Sequence, residues 1–158
     1  MFVRFAAFLP AFIAAELPAQ DSQLSSTDQT GNFYSALNLY TGTHEYIQIR
    51  KLDSGGGALW TQVRDPGVDQ RAAAIASDPA GGILVASLMK ERNRRAMVLF
   101  HYTADGRYDW QRVFPDTIDN IPTMVVTDRD GSYFIGGNAR KGPRTVARLW
   151  KYDAGGNF

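Results

Sequence analysis

The sequence predicts an all-β chain of four-stranded antiparallel blades, arranged as in a propeller, and three observations predict it. Asp28, Asp78 and Asp128 stand fifty residues apart and open the same phrase: Asp28-Gln-Thr-Gly31, Asp78-Pro-Ala-Gly81 and Asp128-Arg-Asp-Gly131, each followed by an apolar run. The same step relates Trp60 to Trp110, Gly56 to Gly106 and Gly156, and Leu52 to Tyr102 and Tyr152. A fixed period of this length, without insertion, marks a repeat architecture. Within one period, four short segments rich in β-branched and aromatic residues alternate with turn chemistry, the pattern of blades rather than of helices.

Taken in order, residues 1–19 read as a secretion signal. Arg4 gives a positive n-region, Phe5–Ala15 an apolar stretch, and Leu17-Pro18-Ala19 a small-residue exit before Gln20; a cut after Ala15 is the alternative. The apolar stretch of eleven residues is short of the roughly 20 that a membrane-spanning helix needs. A secreted or periplasmic location at the bacterial cell exterior is therefore expected. Residues 20–158 form a partial propeller with repeats at about 28–77, 78–127 and 128–158.

In the first copy, strands are expected at Phe33–Leu37, Tyr46–Leu52 and Ala58–Val63, with a weak polar innermost strand near Gln23–Thr27. The second copy offers Ala72–Ser77, Ile83–Leu88, Ala96–Thr103 and Tyr108–Val113, broken by Asp78-Pro-Ala-Gly-Gly, the charged Lys90–Arg95 stretch and Ala104-Asp105-Gly106. An Asp-Gly step favours a tight turn, because glycine tolerates positive φ and aspartate bonds its own backbone. The third copy repeats this with Pro122–Thr127, Tyr133–Gly136, Thr145–Tyr152 and a fourth strand stopping at Phe158. Three blades make an incomplete ring, since propellers close with about 4 to 8. Their open strand edges invite self-association. A truncated reading frame is the plainer explanation, because no capping feature precedes the end; assembly of copies into a ring is the other.

Cysteine is absent, which removes disulfides, thiolate metal sites, cysteine nucleophiles and a lipoprotein anchor. Seventeen basic against sixteen acidic residues leave a net charge of +1, so nothing steers the whole chain toward nucleic acid. With 44% hydrophobic residues it can bury a core.

The turns after the first and third strands of a blade lie at one end, and the second turn and the inter-blade link at the other. The latter end collects Lys90, Arg92, Arg94 and Arg95 from blade two and Arg140, Lys141 and Arg144 from blade three. These seven form a candidate basic rim for an acidic polysaccharide or another anionic surface, tempered by Asp65, Asp69, Asp116 and Asp119 in the links. Two solvated loops that keep the chain soluble are the plain alternative. Asp128 and Asp130 have the spacing of a calcium loop, but Thr30 and Ala80 replace Asp130 in the other copies and the downstream acidic ligand is missing, so a turn is expected. Trp60 and Trp110 have indole faces suited to stacking sugars, but their shared repeat position reads as packing between blades, and Trp150, the period-mate of Phe100, reads as core. His44 and His101 occupy unrelated repeat positions, indicating neither a metal pair nor a catalytic base. No catalytic residue, metal or cofactor is expected.

The segments Ile49–Gln62 (IRKLDSGGGALWTQ), Leu99–Phe114 (LFHYTADGRYDWQRVF) and Leu149–Phe158 (LWKYDAGGNF), each preceded by an Asp-x-x-Gly phrase, resemble bacterial secreted β-propeller repeats of the SBBP type over residues 28–158. The Asp-x-x-Gly and Gly-then-Trp phrases also resemble the tryptophan-docked blades of quinoprotein dehydrogenases. Both resemblances imply the same architecture. The repeat, the signal and the absence of a catalytic constellation point to a secreted, non-enzymatic binding or scaffold module, with a polysaccharide or protein surface as ligand. The alternative is a fragment of a propeller enzyme, either a quinoprotein dehydrogenase, as the second resemblance implies, or a polysaccharide-cleaving enzyme.

Overall fold

The structure, a computed structural model, describes residues 23–91, 94–114 and 119–158; the signal reading at 1–19 lies outside them. The described residues hold eleven strands and no helix. The first sheet contains β1 (Gln23–Thr27), β2 (Phe33–Tyr40), β3 (Glu45–Leu52) and β4 (Ala58–Arg64). The second contains β5 (Gln70–Ser77), β6 (Ile83–Glu91), β7 (Arg94–Tyr102) and β8 (Tyr108–Phe114), and the third β9 (Asp119–Thr127), β10 (Tyr133–Lys141) and β11 (Arg144–Tyr152). Each sheet is an antiparallel meander in chain order. The inner strands β1 and β9 both lie against β5, and the sheets do not close into a barrel. The fold is all-β, three propeller-like blades in an incomplete ring.

The central sheet is buried on both faces, which explains why β6 reads as an unbroken Ile-Leu-Val-Ala run instead of alternating. Ile83 and Val85 pack toward Tyr34, Ala36, Ile47 and Ile49 of the first sheet. Leu84 and Ala86 pack toward Tyr133, Ile135, Trp150 and Tyr152 of the third. Each large aliphatic side chain fully buried this way contributes about 1.5–3 kcal/mol. Polar groups complete the junctions. The Ser77 hydroxyl donates to the Thr27 carbonyl at 2.8 Å, and one period on the Thr127 hydroxyl donates to the Ser77 carbonyl at 2.7 Å.

Two kinds of turn share one end of the blades. After the first strand, the Gly31, Gly81 and Gly131 amides each donate to the carbonyl of the aspartate three residues back, at φ near +80°. The carboxylates of Asp28, Asp78 and Asp128 accept further backbone N–H groups of the same turns. After the third strand, Gly56, Gly106 and Gly156 close the equivalent turns.

Two expectations need correction. Residues 153–158 form a turn closed by Asp153 N–H···O Asn157 and no fourth strand, because only Phe158 follows the closure. Lys90 and Arg95 are not in a loop: they pair in register across β6 and β7, whose backbone ladder runs on to Glu91 and Arg94. Arg140 and Arg144 likewise lie at the facing ends of β10 and β11, paired with Thr145 and Lys141.

Candidate functional site

Each junction at the glycine-turn end is built around one nitrogen-bearing side chain that reaches a turn aspartate. In the first, Lys51 is only 5% exposed, its Nζ lying 3.3 Å from Asp28 Oδ2 and donating across to the Gly81 and Ala104 carbonyls of the second sheet at 3.1 and 3.3 Å. It also lies over the Tyr34 ring, whose hydroxyl donates to the Gly81 carbonyl. Burial pushes the Asp28 carboxyl up, but hydrogen bonds from Asn32 and Thr30 together with Lys51 overcome it and hold the group far below the usual carboxylate range.

One period on, His101 takes the place of Lys51. Its Nε2 lies 2.7 Å from Asp78 Oδ2 and its Nδ1 2.9 Å from Asp109 Oδ2, while the Tyr133 hydroxyl donates to the same Asp78 oxygen at 3.0 Å. Burial raises Asp78, and the hydrogen bonds from His101, Gly82 and Tyr133 lower it further than burial raises it. Burial and the neighbouring Asp78 charge raise the Tyr133 hydroxyl far above its ordinary value. This cluster borders a cavity of about 590 Å³ between the second and third sheets, also lined by Arg107, Arg129 and Asp130. Both His101 ring nitrogens are engaged by carboxylates, so the ring bridges Asp78 and Asp109 at this junction.

The indoles perform the docking expected of them. Trp60 Nε1 donates to Ala104 O at 3.0 Å with its ring against Gly106, and Trp110 Nε1 donates to Ala154 O at 3.2 Å with its ring against Gly156. Gln62 and Arg112, also one period apart, donate to the Gly106 and Gly156 carbonyls at 2.8 and 2.9 Å. Asp128 Oδ1 receives the Asp130 and Ser132 amides, the bonding of a turn.

A second cavity, of about 600 Å³, opens at the blade-link end. Leu24, Ala72, Leu88, Ile121 and Pro122, from strands of all three sheets, give it apolar surface. Glu45, Asp69, Arg71, Lys90 and Arg95 supply its charged groups. Arg71 pairs with Glu45 at 3.5 Å and Lys90 with Asp69 at 3.9 Å, leaving Arg95 as the cation without an acidic partner among the described residues. The Asn38 amide fixes β5 at the cavity, accepting from Ala72 N–H at 2.8 Å and donating to Ala72 O at 3.1 Å.

Of the seven rim residues, the structure brings Lys90 and Arg95 into this cavity. Arg140 and Arg144 stand exposed on β10 and β11 outside its lining, Arg140 Nε donating to Gly142 O at 3.3 Å. Arg92 lies outside the described residues, as do the side chains of Arg94 and Lys141. Asp69 is the one link aspartate that enters the cavity; Asp65 bonds His44 Nε2 at 2.7 Å, Asp119 begins β9, and Asp116 is outside the described residues. Glu45 and Arg71 carry no repeat signature and were not legible as site residues. No family model matches the chain, and no curated protein is found to be similar to it.

Proposed function

We propose that the chain is a secreted, non-enzymatic binding module whose ligand is an acidic polysaccharide held at the blade-link cavity. One observation carries this reading: a recess of about 600 Å³ with apolar surface from three sheets and, on its wall, an arginine without an acidic partner among the described residues. A sugar ring has apolar C–H faces suited to Leu24, Ile121 and Pro122, and a ring carboxylate suits the guanidinium fork of Arg95. Lys90 and Arg71, already neutralised by Asp69 and Glu45, would orient the wall more than attract charge. A resemblance to SBBP-type repeats agrees with a binding role. A protein surface is the other ligand class of such a binding module, and the enzyme-fragment reading gains no support from His101.

The test is retention on an immobilised polyuronate across a salt series. Retention that weakens with salt, together with a roughly tenfold loss of affinity for Arg95→Ala, about 1.4 kcal/mol, is the expected result. Unchanged affinity in Arg95→Ala, with loss in an Arg140→Ala/Arg144→Ala double variant, would move binding to the outer rim. Absence of retention at low salt would refute a polysaccharide ligand.

A further inference from the structure

At the glycine-turn end, the first and second junctions differ in what crosses from one sheet to the next. The Lys51 ammonium lies 3.3 Å from Asp28 Oδ2 and donates to the Gly81 and Ala104 carbonyls at 3.1 and 3.3 Å. One period on, the matching residues are Asp78, Gly131 and Ala154, and all three line the cavity of about 590 Å³ between the second and third sheets. His101 does not make the reach of Lys51, because both its nitrogens are taken by carboxylates of its own sheet, Asp78 and Asp109. Tyr34, whose hydroxyl donates to the Gly81 carbonyl, gives way to Leu84, which has no donor. The Ala104 carbonyl accepts from both Trp60 and Lys51, whereas the Ala154 carbonyl accepts from Trp110 and has the capacity for a second donor. A Cβ built on Gly81 would lie 3.9 Å from Lys51 Nζ, whereas one built on Gly131 meets the Ala154 Cβ at 3.4 Å and, among the described residues, no cation.

We propose that this cavity binds a primary alkylammonium group, set against Asp78 and the Gly131 and Ala154 carbonyls as the Lys51 ammonium is set against their period-mates. Three N–H donors on one small cation suit one carboxylate and two carbonyls. The charges favour it. Arg107 is paired with Asp105 at 3.0 Å, which leaves Asp109 and Asp130 on the wall beside Asp78 and His101, against the single cation Arg129. Asp109 and Asp130 have no acidic counterpart in the first junction, where Leu59 and Ala80 hold their places. Carboxylates are thus added at the junction whose own chain supplies no ammonium to cross it. Pro79, Ala80 and Ala104 give an alkyl chain an apolar wall. The contacts of the Lys51 ammonium come from the first two sheets, so by the same step this site is built by the second and third sheets alone.

The test follows the indole N–H signals of the isotope-labelled chain in a nitrogen–proton correlation spectrum. Trp110 stacks on His101 with ring centres 5.6 Å apart and donates to Ala154, so it reports on this cavity; Trp60, at the first junction, is the internal control. The probes are cadaverine, for a free amine, and Nα-acetyl-lysine methylamide, for a lysine side chain; the tighter of the two names the source. At least one is expected to move the Trp110 signal with a dissociation constant on the order of 1 mM and to leave Trp60 in place. Tetramethylammonium, a cation with no N–H, should bind roughly tenfold more weakly. His101→Lys supplies the ammonium from within and should abolish the response with unchanged circular dichroism. Should that variant misfold, Asp130→Asn, at an exposed position, is expected to weaken binding about threefold. No response to either amine at about 50 mM, an equal response to tetramethylammonium, or undiminished binding in either folded variant would overturn the proposal. So would a response to valerate and not to the amines, which would make Arg107 and Arg129 an anion site.

Discussion

At the scale of single residues, Lys51 and His101 occupy the same repeat position, and each reaches the turn aspartate of its own sheet. His101 reaches Asp78 and Asp109 together, at 2.7 and 2.9 Å, where Lys51 reaches Asp28 and two carbonyls. Removing the ring leaves the Asp78 carboxylate buried with Tyr133 and a backbone amide as partners. His101→Ala is therefore expected to lose about 2 kcal/mol in chemical denaturation, the cost of leaving a buried polar group short of a partner. His101→Lys should lose about 1 kcal/mol or less, because the ammonium is the group its period-mate already uses at the same turn; equal losses would show that ring shape matters more than charge. This equivalence could be read in the sequence, since fifty residues either side of His101 is a lysine. A ruler aligned on aspartate and tryptophan passes over it, because the aspartate partner is kept while the residue type changes.

At the scale of elements, each junction is locked by an indole laid on a glycine turn. A methyl group at Gly106 would sit 2.9 Å from the Trp60 ring at φ +83°, whereas Gly42, at φ +97°, has open space around it. Gly42→Ala is expected to cost about 1 kcal/mol, the strain of left-handed backbone alone. Gly106→Ala should cost about 2 to 4 kcal/mol, because the indole must also shift. The difference between the two unfolding free energies isolates the docking contact. Strand positions were legible to within a few residues, because Asp-x-x-Gly and Asp-Gly steps punctuate them and apolar runs fill the space between. The polar strand Gln23–Thr27 was legible too, by its distance from the first aspartate. The ends of β6 and β10 were not, since cross-strand pairing carries Lys90 and Arg140 into the sheet against their loop-like composition. The blade-link cavity was half legible: Lys90 and Arg95 stood out as a charge run, whereas Glu45, Arg71 and Leu24 join them only through the packing of β1, β3 and β5.

At the scale of the whole molecule, the turn carboxylates form one acid-sensitive set. Asp28, Asp78, Asp105 and Asp153 all have pKa values lowered by folding. Groups lowered in the folded state stabilise it above the unfolded value of about 3.9 and lose that contribution as pH falls through the folded value. At the other extreme burial pushes Tyr152 up to about 12 and raises Tyr34 and Tyr133 further. Their contribution is present below an unfolded value of about 10 and fades as pH rises past it. Thermal melts are therefore expected to hold a plateau from about pH 5 to 9 and to fall on both sides. Asp28→Asn should flatten the acid limb, and an unchanged limb in that variant would remove Asp28 from the account. The bonds that join one sheet to the next span a nearly constant length of chain: 44 residues from Trp60 to Ala104 and from Trp110 to Ala154, 50 from Ser77 to Thr27, 55 from Tyr133 to Asp78. Each blade thus needs only the one made just before it. At a synthesis rate of about 5 to 20 residues per second, a new blade emerges roughly every 3 to 10 s to find its docking surface already formed. The nascent chain can set like bricks laid in a course, from first to last.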